Sequence, residues 1–198
     1  MGLVIGLHGA KGSGKDQFYK AVKAAYPHLN VRKIAYADPI KNEVSRIFGL
    51  ANEQEYDSFK RTTVKFNILQ NSYPQPHMVD GRQVVREIGM MMRSYDENQF
   101  TRYVEEEIAK DPNALWFITD LRFDNELKSI KNQLGGIVIK IKRGGFDFDG
   151  HVTETEFPDE VCSSVLYNVD LTLEQYEVQV VEEMSKIMQT LALMKEHK

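Results

Sequence analysis

The chain carries one cysteine, Cys162, and one tryptophan among 198 residues. A lone cysteine closes no internal disulfide, so a disulfide-stapled secreted scaffold is excluded and a reducing cytoplasm is the expected setting. The five histidines are scattered, and no Cys/His set has zinc-ligand spacing. No apolar run is long enough to span a bilayer. Residues 3–7 are too short for a signal-peptide core and run straight into Gly9 and Lys11. Gly2 would suit myristoylation, but Gly6 stands where Ser or Thr is required. An excess of positive charge is also missing. The formal net charge is −4, whereas a general nucleic-acid binder usually shows a basic face. The expected partners are therefore small molecules, not nucleic acid or membrane. A local Arg/Lys site for one small anion is compatible with this balance.

What is present fits a globular domain. Apolar and charged residues make up 42% and 27% of the chain, ordinary shares for a folded protein. Residues 3–9 form a short apolar run ending in glycine and read as a buried strand. A helix is predicted from Lys15 to the residue before Pro27, and a strand over 31–37. Asp38-Pro39 starts a second helix, since Pro suits the first helical position. EQEYDSFKR reads as helical. NSYPQPHMVDG reads as a loop, because the residues before Pro74 and Pro76 disfavour helix. Val84, Val85, Ile88, Met91, Met92 and Tyr95 recur at helical spacing. A further helix spans about 97–110. LWFITD is a strand ending in a carboxylate, FDNELKSIKNQ a helix, and GIVIKIKR a strand. YNVDLTL gives a weaker last strand, and a long helix closes the chain, with Leu173, Tyr176, Val180, Met184, Ile187, Leu191 and Met194 on one stripe.

This alternation implies an α/β fold: a parallel sheet of about five strands, helices on both faces, and ligands at the strands' carboxyl ends. One domain is expected over 1–198, with a core of 1–50 and 111–198 and a helical insert near 51–110. From the end of the first strand into the first helix run Gly9, Ala10, Lys11, Gly12, Ser13, Gly14, Lys15 and Asp16. They match the phosphate-loop pattern G-x-x-x-x-G-K-[ST] except at the last position. Backbone N–H groups of such a turn, opening onto a helix N-terminus, cradle an anion, and Lys15 would reach the β/γ-phosphates of ATP. The fold type is thus that of the P-loop NTPases. Asp16 replaces the hydroxyl that normally meets Mg²⁺. A carboxylate can also serve that oxygen-seeking ion, and beside a triphosphate it is tolerable only with a cation between them. The alternative is that Asp16 merely favours the positive end of the helix.

GAKGSGKD, ADPIKNEV, GRQVVREIGMMMR, ITDLRFDNE and HVTETEFP, in that order, resemble the phage-type deoxynucleoside monophosphate kinases. The resemblance spans most of the chain. It implies an ATP- and Mg²⁺-dependent enzyme that phosphorylates deoxynucleoside 5′-monophosphates, working in the host cytoplasm if phage-encoded. It also implies substrate contacts from Lys41, Arg82, His151 and Glu154. Val85-Arg86, Met90 and Phe100 depart from the family's usual Leu-Gln, Thr and Trp, which leaves the choice of base open. The animal type of phosphomevalonate kinase shares the GKD ending and a D-x-R stretch, and is the competing enzyme reading. A nucleotide-binding module without transfer is the competing class. Pairing of the chain with itself stays open.

An acceptor phosphate has a second pKa of ~6, so no general base is needed. Arg and Lys must instead hold two anions together. Arg82, Arg86 and Arg93 share a helix face, either as a bidentate phosphate clamp or as a solvated face with ion pairs. The neighbouring methionines read as core. Asp120 ends its strand as a Mg²⁺ ligand, an orienter of Arg122 or a turn former. Arg122 is the candidate for stabilising the transferred phosphoryl, with Glu126 fixing it or simply pairing with it. Arg143 either touches ATP or ends a solvated strand.

Overall fold

A computed structural model of the chain describes residues 2–70, 73–145 and 156–196. In chain order the elements are β1 (Val4–His8), α1 (Lys15–Ala25), β2 (Val31–Ile34), α2 (Asp38–Phe48), α3 (Glu53–Phe59), β3 (Thr63–Gln70) and β4 (Tyr73–Asp80). These are followed by α4 (Gly81–Tyr95), α5 (Gln99–Ala109), β5 (Leu115–Ile118), α6 (Asp124–Lys128), β6 (Ile137–Lys142), β7 (Ser164–Tyr167) and α7 (Leu173–Glu196). The chain divides into two compact units. One combines Met1–Ala35 with Val104–Lys198, and the other is Tyr36–Tyr103.

The first unit is built on a five-stranded sheet in the order β2-β5-β1-β6-β7. Every pairing in it is parallel. β1 and β5 are buried at every position, as near-continuous apolar strands covered on both faces should be. Side chains alternate across a strand. Ile5 and Leu7 therefore join Phe18 and Val22 of α1 and Val180 and Met184 of α7 in one core. Gly6 faces the other way, where a Cβ would meet Ile130 Cδ1 at 2.5 Å. Ile130 belongs to a π-helical turn, Ser129–Gln133, that continues α6. The helix read over FDNELKSIKNQ thus changes winding halfway, and Leu134 N–H donates five residues back to Ser129 O. β7 also lies earlier than the sequence suggests, ending at Tyr167 where the weak signal had started.

The second unit contains a correction to the loop expected over NSYPQPHMVDG. β3 and β4 form an antiparallel ribbon in register from Thr63↔Asp80 to Gln70↔Tyr73. Pro74 and Pro76 break helices and central strands. In a two-stranded ribbon each strand keeps an unpaired edge, where a missing N–H is tolerated. Asp80 caps α4, its carboxylate accepting the Arg82 N–H at 2.7 Å. Gly89 brings α4 close to α2: a Cβ there would meet Ile40 Cδ1 at 2.8 Å. The helical stripe on α4 is only partly buried. Val84 is enclosed, but Met90, Met91 and Tyr95 are exposed, so those methionines are not core as expected.

Candidate phosphate-binding site

The turn between β1 and α1 has the geometry its glycines allow. Gly9, Gly12 and Gly14 have φ of 152°, 82° and 114°, values that side chains rarely adopt. Gly9 is also closed to a side chain by contact, since a Cβ would lie 2.4 Å from Ile141 O. α1 starts at Lys15, so its unpaired N–H groups and positive dipole end open onto the turn. Lys15 Nζ arches back to donate to Gly9 O at 2.6 Å and Ala10 O at 2.8 Å. Ala10 is buried and anchors the turn, while Lys11 and Gly12 are exposed. Ser13 Oγ is buried with no hydrogen-bond partner among the described residues. Arg143, just past β6, donates to Gly12 O at 2.9 Å. The structure therefore joins Arg143 to the loop.

Asp16 lies in the first turn of α1, with its side chain 72% exposed and paired to Lys33 Nζ at 3.2 Å. Lys33 is a counter-ion that the sequence reading did not anticipate. Asp120 lies two residues past β5, partly buried. Among the described residues no group of three or more His, Cys, Asp or Glu is placed to hold a metal ion. Such a cage is what zinc or calcium requires. Mg²⁺ commonly takes only one or two carboxylates besides water and phosphate oxygens. The exposed carboxylate of Asp16, in the first turn of α1, fits that demand.

Arg122 lies on the connection from β5 to α6, and its backbone is fixed from both sides. One carboxylate oxygen of the buried Glu126 accepts the N–H groups of Arg122 at 2.8 Å and Phe123 at 3.1 Å. Glu126 thus fixes Arg122 through the main chain. The preceding carbonyl, Leu121 O, is 3.1 Å from His8 Nδ1. His8 Nε2 accepts the Phe157 N–H at 3.1 Å, which leaves the ring proton on Nδ1 to donate to Leu121. Burial above all, with Lys140 and Lys15 adding to it against the Leu121 bond, lowers the His8 pKa from 6.5 to about 4. Between those two values the unfolded chain takes up a proton that the folded chain refuses. The His8 contribution is complete above pH 6.5 and is lost as pH falls toward 4. We expect urea titrations to show a loss on the order of 3 kcal/mol across that window. A His8→Phe variant should lack this component, and equal pH slopes for the two proteins would refute it.

The second unit holds the other cationic candidates. Lys41 Nζ pairs with Glu53 Oε1 at 2.8 Å and lies over the Tyr56 ring. Arg82, Arg86 and Arg93 are all on α4 and partly buried. Arg93 stacks on Phe100, its guanidinium carbon 4.6 Å from the ring centroid. Phe100 is thus an arginine platform where the resembled family usually has Trp. His151 and Glu154 lie outside the described residues.

Sequence reading passed over His8, Lys33 and Asn168 and gave Tyr176 only a core position. Asn168 Nδ2 donates to Ser13 O at 3.0 Å, and Tyr176 OH donates to Gly14 O at 3.2 Å. Neither contact has a local signal, because more than 150 residues separate the partners.

The parallel sheet with β1 at its centre and the glycine turn feeding α1 define a P-loop fold. In sequence the chain is similar to a protein of Acanthamoeba polyphaga mimivirus described as "Putative deoxynucleotide monophosphate kinase". The two are 28% identical over 186 residues, covering 90% of this chain and 94% of the mimivirus protein. That relative is of nearly the same extent as this chain. No model of a known protein family matches the chain. Solved structures similar to it include a gluconokinase from Sinorhizobium meliloti 1021, at 12% identity, TM-score 0.48 and coverage of 98% and 97% of the two chains. Another is a dephospho-CoA kinase from Campylobacter jejuni, at 13% identity, TM-score 0.45 and coverage of 93% and 96%. No helix among the described residues is long and apolar enough to cross a membrane.

Proposed function

We propose that the protein is a cytoplasmic kinase that moves the γ-phosphoryl group of ATP onto a deoxynucleoside 5′-monophosphate. The observation that carries this reading is the turn 9–16, with its glycine torsions and with Lys15 Nζ folded over its carbonyls. The five ordered motifs and the mimivirus relative support the choice of acceptor. Lys15 and the turn's N–H groups hold the donor triphosphate, and Arg143 steadies the turn at Gly12. Lys41 and the α4 face of Arg82 and Arg86 bind the acceptor, with Arg93 supporting that face from Phe100. His151 and Glu154 belong to the acceptor side on the motif match. Arg122 offsets charge on the group in flight. Mg²⁺, when bound, draws charge from the β- and γ-phosphates, and Asp16 with Asp120 would hold it.

Asp16 carries a specific expectation. With its carboxylate neutralised, Asp16→Asn keeps a ligand oxygen but loses the charge that recruits Mg²⁺. The Mg²⁺ concentration for half-maximal rate should rise about tenfold. An unchanged requirement would leave Asp16 as the ion-pair partner of Lys33 and no more.

The acceptor is tested by a coupled assay of ADP release, with ATP, Mg²⁺ and a panel of deoxy- and ribonucleoside monophosphates alongside phosphomevalonate. Turnover with at least one deoxynucleoside monophosphate is the expected result. Turnover confined to phosphomevalonate would follow from the shared GKD and Asp120-x-Arg122 stretches and would replace this reading. ATP binding without turnover of any acceptor would make the protein a nucleotide-binding module.

A further inference from the structure

The carbonyls of the phosphate loop are held by side chains from distant parts of the first unit. Asn168 stands in the link between β7 and α7, buried to 8% exposure, with its own N–H bound to Lys142 O. Its amide nitrogen donates to Ser13 O at 3.0 Å. Tyr176, on the first turn of α7 and 2% exposed, donates its hydroxyl to Gly14 O at 3.2 Å. The same two side chains press on Gly14 itself. A Cβ there would lie 3.0 Å from both Asn168 Nδ2 and Tyr176 Cε1. Burial pushes the Tyr176 phenol pKa up against the opposing effect of Arg143, so the hydroxyl keeps its proton and stays a donor.

The consequence follows from peptide geometry. None of the described peptide bonds is cis, and in a trans peptide the C=O and the following N–H point in opposite directions. Holding Ser13 O on one side turns Gly14 N–H to the other, and holding Gly14 O does the same for Lys15 N–H. Ser13 N–H is already engaged by Ala10 O at 3.1 Å. Gly14 O also accepts the Phe18 N–H at 2.8 Å, the first bond of α1, so Tyr176 reinforces a direction the helix already gives Lys15 N–H, while Asn168 holds Ser13 O and with it the direction of Gly14 N–H.

Resting on the kinase reading above, we propose that Asn168 and Tyr176 are positioning residues for the donor triphosphate, holding the loop so that Gly14 and Lys15 present their N–H groups to it. Asn168→Asp keeps the size of the side chain but cannot donate to a carbonyl. Tyr176→Phe keeps the ring and removes only the hydroxyl, so packing of α7 is retained. Losing either bond should weaken binding by up to about tenfold. The experiment is calorimetric binding of inorganic tripolyphosphate and of ATP with Mg²⁺ to the full chain and each variant. It is paired with KM for the acceptor and with thermal unfolding. Weakened tripolyphosphate and ATP binding, with the acceptor KM within about twofold, is the expected result. Parent-like tripolyphosphate binding by Tyr176→Phe and Asn168→Asp, whatever their melting temperatures, would overturn the proposal. A parent protein that binds tripolyphosphate but phosphorylates nothing contradicts the kinase reading alone, and the variants' binding ratios still decide the roles of these two residues. A parent that binds no tripolyphosphate overturns both.

Discussion

Replacing Lys15 with methionine should lower the rate of phosphoryl transfer about a thousandfold while leaving the protein folded. The Lys15 ammonium lies back over the turn. In the structure it is bound to Gly9 O and Ala10 O, both of which water can serve once it is gone. Methionine keeps most of the stem's length and packing, so the melting temperature should shift little. The loss falls on the transition state, where negative charge moves from the γ-phosphoryl toward the leaving β-phosphate and a fixed cation is worth most in a site shielded from water. Arginine should not restore the rate, because its planar fork cannot replace a compact point charge in a turn this tight. Steady-state kinetics on Lys15→Met and Lys15→Arg check this, and a loss under tenfold would remove Lys15 from the chemistry.

Arg122→Ala should produce a loss of similar size, on the order of 10³ in kcat, because a guanidinium supplied to the transferred group typically contributes 10³–10⁵. The structure gives a reason to expect kcat to carry the effect. The peptides on both sides of Arg122 are fixed, the one before it by His8 on Leu121 O and Glu126 on Arg122 N–H, the one after it by Glu126 on Phe123 N–H. The side chain is thus delivered from a rigid base, and little ordering cost remains to be met during the reaction. Removing it should leave KM for ATP within a few-fold of the parent, since uniform binding is not what it supplies. A variant with unchanged kcat and a raised KM would reassign Arg122 to ground-state binding.

The sheet and the donor loop could be read from sequence because their signals are local. LVIGLHG and LWFITD are apolar runs bounded by turn residues, and the glycines of the turn stand at fixed offsets from Lys15. The β3–β4 ribbon could not be read that way, since Pro74 and Pro76 argue for a loop and only pairing with β3 makes them strand residues. The π turn after α6 was hidden too, because a helix that loosens by one residue keeps nearly the same apolar spacing. In the candidate site, Lys15, Arg143 and Glu126 can be proposed from motif, strand end and helical spacing. Glu126 acts through backbone N–H groups, which no spacing rule distinguishes from a side-chain pair with Arg122. His8, Asn168 and Tyr176 act on main-chain atoms far away in sequence. Their roles exist only once β1, β7 and α7 have been brought beside the turn.

The central claim is that residues 9–16 grip a triphosphate. Its most direct measurement is amide chemical-shift mapping of the full chain titrated with a nonhydrolysable ATP analogue and Mg²⁺. The account requires the largest shifts at Gly12, Gly14 and Lys15, saturating together. Shifts centred elsewhere, or none at saturating analogue, would contradict it.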